Sequence, residues 1–213
     1  MLRLGVTLFI VTAVMAAALG LVYSVTKETI AAQEEAKVLD AVALVLPEGA
    51  SAEAVAKTVD GRQLPDYFVA RGPDGRVVGY ALVCYGKGFS STLELMAGFT
   101  PDGVITGTSV LKQAETPGLG ERVNEVRAEG TLWTAIGGLF SPAEGRAGPP
   151  PEPWYQTQYR GLDARGLELV KGAADPDRNQ VEAITGATIT SRAFTDALRD
   201  GVTAFLARTD IPR

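Results

Sequence analysis

From Leu4 to Tyr23 the chain reads LGVTLFIVTAVMAAALGLVY, twenty residues without a charge. At ~1.5 Å rise per residue, a helix of that length spans about 30 Å, the thickness of a bilayer's hydrocarbon layer. Arg3 flanks it on one side, and Lys27, Glu28, Glu34 and Glu35 follow on the other. Arg3 and the N-terminal amine against Lys27 favour, by the positive-inside rule, an N-terminus in the cytoplasm and the bulk of the chain outside. A cleaved signal peptide is the competing reading, since AVMAAALG offers small residues to a peptidase. The length of the apolar run and its helix-forming continuation favour a retained anchor. From Val25 to Leu46, Ile30, Val38, Val42 and Val45 make a partial apolar stripe, and Pro47 ends it. The expected organisation is an anchor over residues 1–24, a connecting helix over 25–46 and a folded domain over 47–213.

Beyond Pro47 the period changes. DYFVARGPDGRVVGYALVCYG and LELMAGFTPDGVITGTSVLKQ each set Pro-Asp-Gly between two apolar, partly β-branched runs. Proline fixes φ, aspartate makes a local side-chain bond and glycine takes positive φ, so each reads as a hairpin. Together they predict an antiparallel sheet of about four strands, and LELVKG (167–172) reads as one more. ERVNEVRAEGTLWTAIGGLF (121–140) is expected to be largely helical, with Val123, Val126 and Ile136 as core contacts. The Pro- and Gly-rich stretch from Ser141 is expected to be an irregular loop. Near the end, Phe194, Ala197, Leu198, Val202, Phe205 and Leu206 fall three and four apart, which predicts a helix starting near Thr190 or Ser191. The fold class is α+β: one N-terminal transmembrane helix, then an antiparallel-sheet domain with flanking helices.

Composition narrows the chemistry. The chain has 213 residues and a net charge of −5, and no basic run, so it is a poor candidate for nucleic acid. It has no histidine, the usual general base and commonest transition-metal ligand. No metal site and no catalytic side chain are expected. Its single cysteine, Cys84, lies in an apolar run and reads as a small buried thiol. Trp133 and Trp154 read as core or interface residues. No strand–GxGxxG–helix unit is present for NAD, so the isolated chain is expected to lack dehydrogenase activity.

The most informative stretch is EAITGATITSRAF (182–194). Four hydroxyls, Thr185, Thr188, Thr190 and Ser191, crowd around Gly186 and Ala187 just where a helix is expected to begin. Plain helix capping accounts for this pattern. So does an anion site, because free N–H groups and the helix dipole attract a phosphate there. ETPGLG (115–120) reads as a turn at Pro117 and Gly118, with Gly118 and Gly120 allowing close backbone approach to a flat ligand.

TGAT at Thr185–Thr188 resembles the S/T-G-A-T motif of flavoproteins that carry FMN through a phosphoester bond to threonine. ETPGLG resembles the second signature of the same FMN-binding domain. With the single N-terminal span, nearly the whole chain resembles the G subunits of Rnf electron-transport complexes. The C subunits of sodium-translocating NADH:quinone reductases are their relatives. The resemblance implies covalent FMN on Thr188, attached by a flavin transferase that uses FAD. It also implies flavin contacts from Glu115 and Thr116, packing of Leu119 on the ring and a role for nearby backbone amides in setting the flavin potential. Thr185, Gly186 and Ala187 would surround the phosphate, to which Thr190 and Ser191 are candidate donors. Ser90, in the Gly-rich YGKGFSS segment, is a further candidate contact. The sequence departs from the family pattern in two places. Glu182 stands where an aspartate is usual, six residues before the acceptor, and Gln113-Ala114 stand where histidine is frequent. The implied role is electron relay among the other subunits of an ion-translocating ferredoxin:NAD oxidoreductase in the cytoplasmic membrane, with the flavin domain on the outer side. The readings left beside it are the equivalent quinone-reductase component and a flavin-free, membrane-tethered docking module.

Overall fold

A computed structural model describes residues 2–47, 49–59, 62–126 and 152–212. Two compact units emerge, Met1–Asp40 and Ala41–Arg213. The chain opens with the helix α1 (Leu2–Val45). It is long and apolar enough to cross a membrane. The side chains of its apolar run are exposed. The helix stops ahead of Pro47, which cannot supply a helical N–H. Ala41, Val42 and Val45 are buried, whereas Ile30 is exposed and Val38 half-buried, so only the end of the predicted stripe meets the core.

The second unit is built on a five-stranded antiparallel meander in the order β1 (Ser51–Val59), β2 (Arg62–Arg71), β3 (Val77–Lys87), β4 (Thr92–Phe99) and β5 (Ile105–Lys112). The two Pro-Asp-Gly turns join β2 to β3 and β4 to β5, as the sequence predicts. The sheet has one strand more than the predicted four. Gly98 in β4 lets the end of α1 lie against the sheet: a Cβ there would come 2.2 Å from the Val45 carbonyl oxygen. Along the end of β3, Leu82, Cys84 and Gly86 point into the core, while Tyr85 and Lys87 are exposed, the period-two alternation of a half-buried strand. Burial pushes the Cys84 thiol up to about 12.

The final helix, here α3, runs Thr188–Leu206 after a short α2 (Trp154–Thr157). It packs on β3 and β4. Phe194 is fully buried against Tyr155 and Tyr159, with ring centroids 5.3 and 5.0 Å away. At the other end, Phe205 meets Tyr67, Tyr80 and Phe99. LELVKG does hold a strand, β6 (Glu168–Val170). It pairs in parallel with β7 (Gln180–Glu182) as a separate two-stranded sheet.

Two expectations are corrected. The helix expected over 121–140 is, where described, only a 3₁₀ turn at Gly120–Asn124. Glu125 and Val126 leave it, Val123 is buried and Val126 is 42% exposed; Ile136 and Trp133 lie outside the described residues. The second correction is the start of α3. It begins at Thr188 with Ala187 as N-cap, so Thr190 and Ser191 lie inside the first turn rather than before it. Trp154 is half-buried, with its ring against Tyr155 and its Nε1 donating to Glu125.

Candidate functional site

The four hydroxyls have different fates. Ser191 is fully buried; its hydroxyl donates to the Ala187 carbonyl (3.0 Å) and accepts from the Ile184 amide (3.0 Å). It is therefore a staple of the helix start, placed where it cannot donate to an external phosphate. Thr190 is also buried, and its hydroxyl donates to Glu115 Oε2 at 2.6 Å. Thr185 is exposed and turned out of the cleft described next. Thr188 remains. It is half-buried, lines the cleft, and its hydroxyl has no hydrogen-bond partner among the described residues.

The cleft measures about 300 Å³ and is lined by the stretch from Gly186 to Thr190, by parts of the ETPGLG loop and by Phe89. Gly186 takes φ +85° and so bends the chain back into the helix, a conformation that disfavours any side chain. Ala187 makes no side-chain cap, which leaves the first amides of α3 without a side-chain acceptor and the end of the helix open to an anion. Leu119, Phe89 and Ile189 are 46%, 72% and 56% exposed around the opening. Apolar side chains clustered around a concave opening suit an apolar surface of a ligand.

Glu115 holds the cleft together. Its Oε1 accepts from the amides of Ser90 (3.0 Å) and Ser91 (2.9 Å) and from the Ser91 hydroxyl (3.1 Å). Its Oε2 accepts from the Phe89 amide (3.1 Å) and Thr190. One carboxylate thus ties the β3–β4 connection to the ETPGLG loop and to the start of α3. Gln113 accepts from the Glu115 amide at 2.7 Å, and the Ala114 amide donates to the Ser91 hydroxyl at 2.9 Å. The Ser90 hydroxyl lies 3.1 Å from that of Thr116, just outside the lining, so Ser90 braces the loop. Gly118 takes φ +76° in the turn and does not line the cleft. Glu182 is half-buried in β7, away from the lining.

The Glu115 charge has a consequence for stability. Burial alone would raise its carboxyl. The hydrogen bonds from Thr190 and from the Ser91, Ser90 and Phe89 amides outweigh burial and hold it below the usual carboxylate range. A depressed folded value stabilises the protein above the unfolded value of about 4.3, and that stability drains away as pH falls through the folded value. Thr190→Val removes the shortest of these bonds. We expect it to cost about 1.5–3 kcal/mol at pH 7 and clearly less near pH 3, read as denaturant midpoints at the two pH values.

Among the sequence-predicted site residues, the structure brings Glu115, Thr116, Leu119, Gly186, Ala187, Thr188 and Thr190 into one lining. Thr185, Gly118, Ser90 and Ser191 fall outside it. Phe89 and Ile189 line it without any signal in the sequence, because single apolar residues in a loop or first helical turn carry no pattern. No His, Cys, Asp and Glu group able to hold a metal occurs among the described residues.

Residues 88–203 match the FMN-binding domain family, and residues 1–45 match the RnfG N-terminal region. The G subunit of the Na(+)-translocating ferredoxin:NAD(+) oxidoreductase complex of Acetobacterium woodii is 31% identical, over 95% of this chain and 90% of that one. The G subunit of the ion-translocating oxidoreductase complex of Methanosarcina acetivorans is 30% identical, over 92% and 90%. A solved structure of the C subunit of the Na(+)-translocating NADH-quinone reductase from Parabacteroides distasonis is 20% identical and covers 76% of this chain and 80% of that one, with a TM-score of 0.49. The chain belongs to the FMN-binding domain family and, within it, to the RnfG proteins.

Proposed function

We propose that this chain is a membrane-anchored flavoprotein that carries FMN in phosphoester linkage to Thr188. It relays electrons among the other subunits of an ion-translocating ferredoxin:NAD oxidoreductase. The observation that carries the reading is the Thr188 hydroxyl, without a partner among the described residues and facing an apolar-rimmed cleft from the uncapped start of α3. The residues present fit the group. The helix end suits a phosphate, Gly186 and Ala187 leave room beside the acceptor, and Phe89, Leu119 and Ile189 suit the faces or edges of a flat ring. When bound, FMN supplies the redox chemistry, and the protein supplies position, exclusion of water and local electrostatics. Thr188 tethers it, and Glu115 keeps the surrounding loops in register.

Esterification breaks the pyrophosphate of FAD: the Thr188 oxygen bonds the FMN phosphorus, AMP leaves and the hydroxyl proton is released, so a flavin transferase is needed for maturation. α1 supplies length and apolarity for the anchor, and Arg3 with the N-terminal amine favours a cytoplasmic N-terminus. The flavin domain then lies on the outer side, and a reporter enzyme fused after Arg213 is expected to be active only there. The linkage is tested by expressing the chain with and without the transferase and viewing a denaturing gel under ultraviolet light. We expect a fluorescent band only with the transferase. A dark band in both would leave the tethered docking module as the better reading.

A further inference from the structure

The loop amides of Phe89, Ser90 and Ser91 converge on Glu115. All the donors to this carboxylate are neutral, and among the described residues it forms no ion pair. Its charge is therefore dispersed but not cancelled. The cleft lining holds this one carboxylate and, among the described residues, no lysine or arginine. Space for it is cleared on both sides. A Cβ at Gly88 would come 2.5 Å from Oε1, and one at Gly120 would come 2.7 Å from Oε2. A buried carboxylate without a cation is a costly way to join loops when a neutral acceptor would serve.

We propose that Glu115 is a fixed negative charge in the cleft wall that lowers the reduction potential of the flavin held there. The inference rests on the FMN reading above. A cleft of about 300 Å³ is small enough that a ring filling it lies close to every wall residue. An electron entering without a proton adds one negative charge beside the carboxylate, and the two repel. For two unit charges within one such cleft, with an effective dielectric of about 20 and partial screening, that repulsion would favour the oxidised flavin by roughly tenfold. Thr188 fixes where the ring is tethered, and Glu115 sets how readily it accepts an electron.

The test is a mediated redox titration of the full-length, flavin-loaded protein in detergent, with dithionite as reductant. At the wild-type midpoint, Glu115→Gln should raise the ratio of reduced to oxidised flavin about tenfold. Phe205→Leu, outside the cleft lining, lowers stability without touching the charge. It should lower the unfolding temperature and leave the potential in place. A loaded, folded Glu115→Gln protein with an unmoved or more negative potential would overturn the proposal. Where Glu115→Gln fails to fold, Ser90→Lys decides. Ser90 is exposed and its backbone bond to Glu115 survives substitution, so a lysine there adds a cation beside the carboxylate. A more positive potential supports the charge account, and an unmoved one overturns it. The mass of the wild-type chain reads the underlying assignment separately: without the flavin increment that assignment falls, and this one with it.

Discussion

Thr188→Val is expected to carry no covalent flavin at all, while folding as well as the parent chain. Valine matches threonine in shape and removes only the hydroxyl. That hydroxyl has no partner among the described residues, so its loss leaves no donor or acceptor stranded. The change in stability of the unmodified chain should stay within about 0.5 kcal/mol, the range of a substitution that breaks no named contact. The check pairs flavin absorbance of the denatured protein, expected at background, with a thermal melt of both chains prepared without the transferase, expected to coincide. Residual bound flavin would move the attachment to Thr185 or Thr190. The contrast with Thr190→Val two residues along is informative, since that change removes a bond and leaves the acceptor untouched.

Phe194→Ala should be the most destabilising of the substitutions considered. The ring is fully buried, stacks on Tyr159 and meets Tyr155 edge-on, and it anchors the first half of α3 over the sheet. Removing a buried aromatic ring leaves a cavity and costs about 3–5 kcal/mol. That is a large part of the 5–15 kcal/mol that typically holds a domain folded. For a unit of this size the unfolding temperature should fall by roughly 10–15 °C, measured by circular dichroism of the full chain in detergent. Phe194→Leu fills much of the space and should cost well under half as much. Because α3 carries the TGAT turn, Phe194→Ala should also lower flavin loading near its melting range and restore it on cooling. A melt within about 3 °C of the parent would mean that α3 is held chiefly by its Phe205 end.

How much of this is legible in the chain differs from element to element. Long periodic segments are: α1 and α3 follow from an unbroken apolar run and from three-and-four spacing. The Pro-Asp-Gly turns name β2–β3 and β4–β5 because their mechanism is local. β1 is not legible, since Ala52, Ala54 and Ala56 are weak strand formers and its described side chains are mostly exposed. Pro65 in β2, beside a register shift at Val55/Ala56, hides the pairing further. The start of α3 falls earlier than capping rules place it, because those rules look for a hydroxyl, whereas Ala187 occupies the cap position with no side-chain bond. The parallel pairing of β6 with β7 involves three residues each, too short for any period.

The site shows the same division. The acceptor threonine and the second loop are readable as motifs, because each is contiguous. The link between them is not, because Glu115 and Thr190 lie 75 residues apart and meet only in the folded chain. Once they meet, the hydroxyls sort themselves by partner. Ser191 and Thr190 are committed to structure. Thr188 faces the cleft with its oxygen free of any partner among the described residues.

That oxygen is the centre of the account, and a tryptic digest reads it directly. Cleavage after Arg178 and Arg192 releases Asn179–Arg192, which holds the TGAT turn. From protein matured with a flavin transferase, this peptide should weigh its own residues plus FMN less one water, with fragmentation placing the increment on Thr188. The same peptide recovered only at its unmodified mass would contradict it.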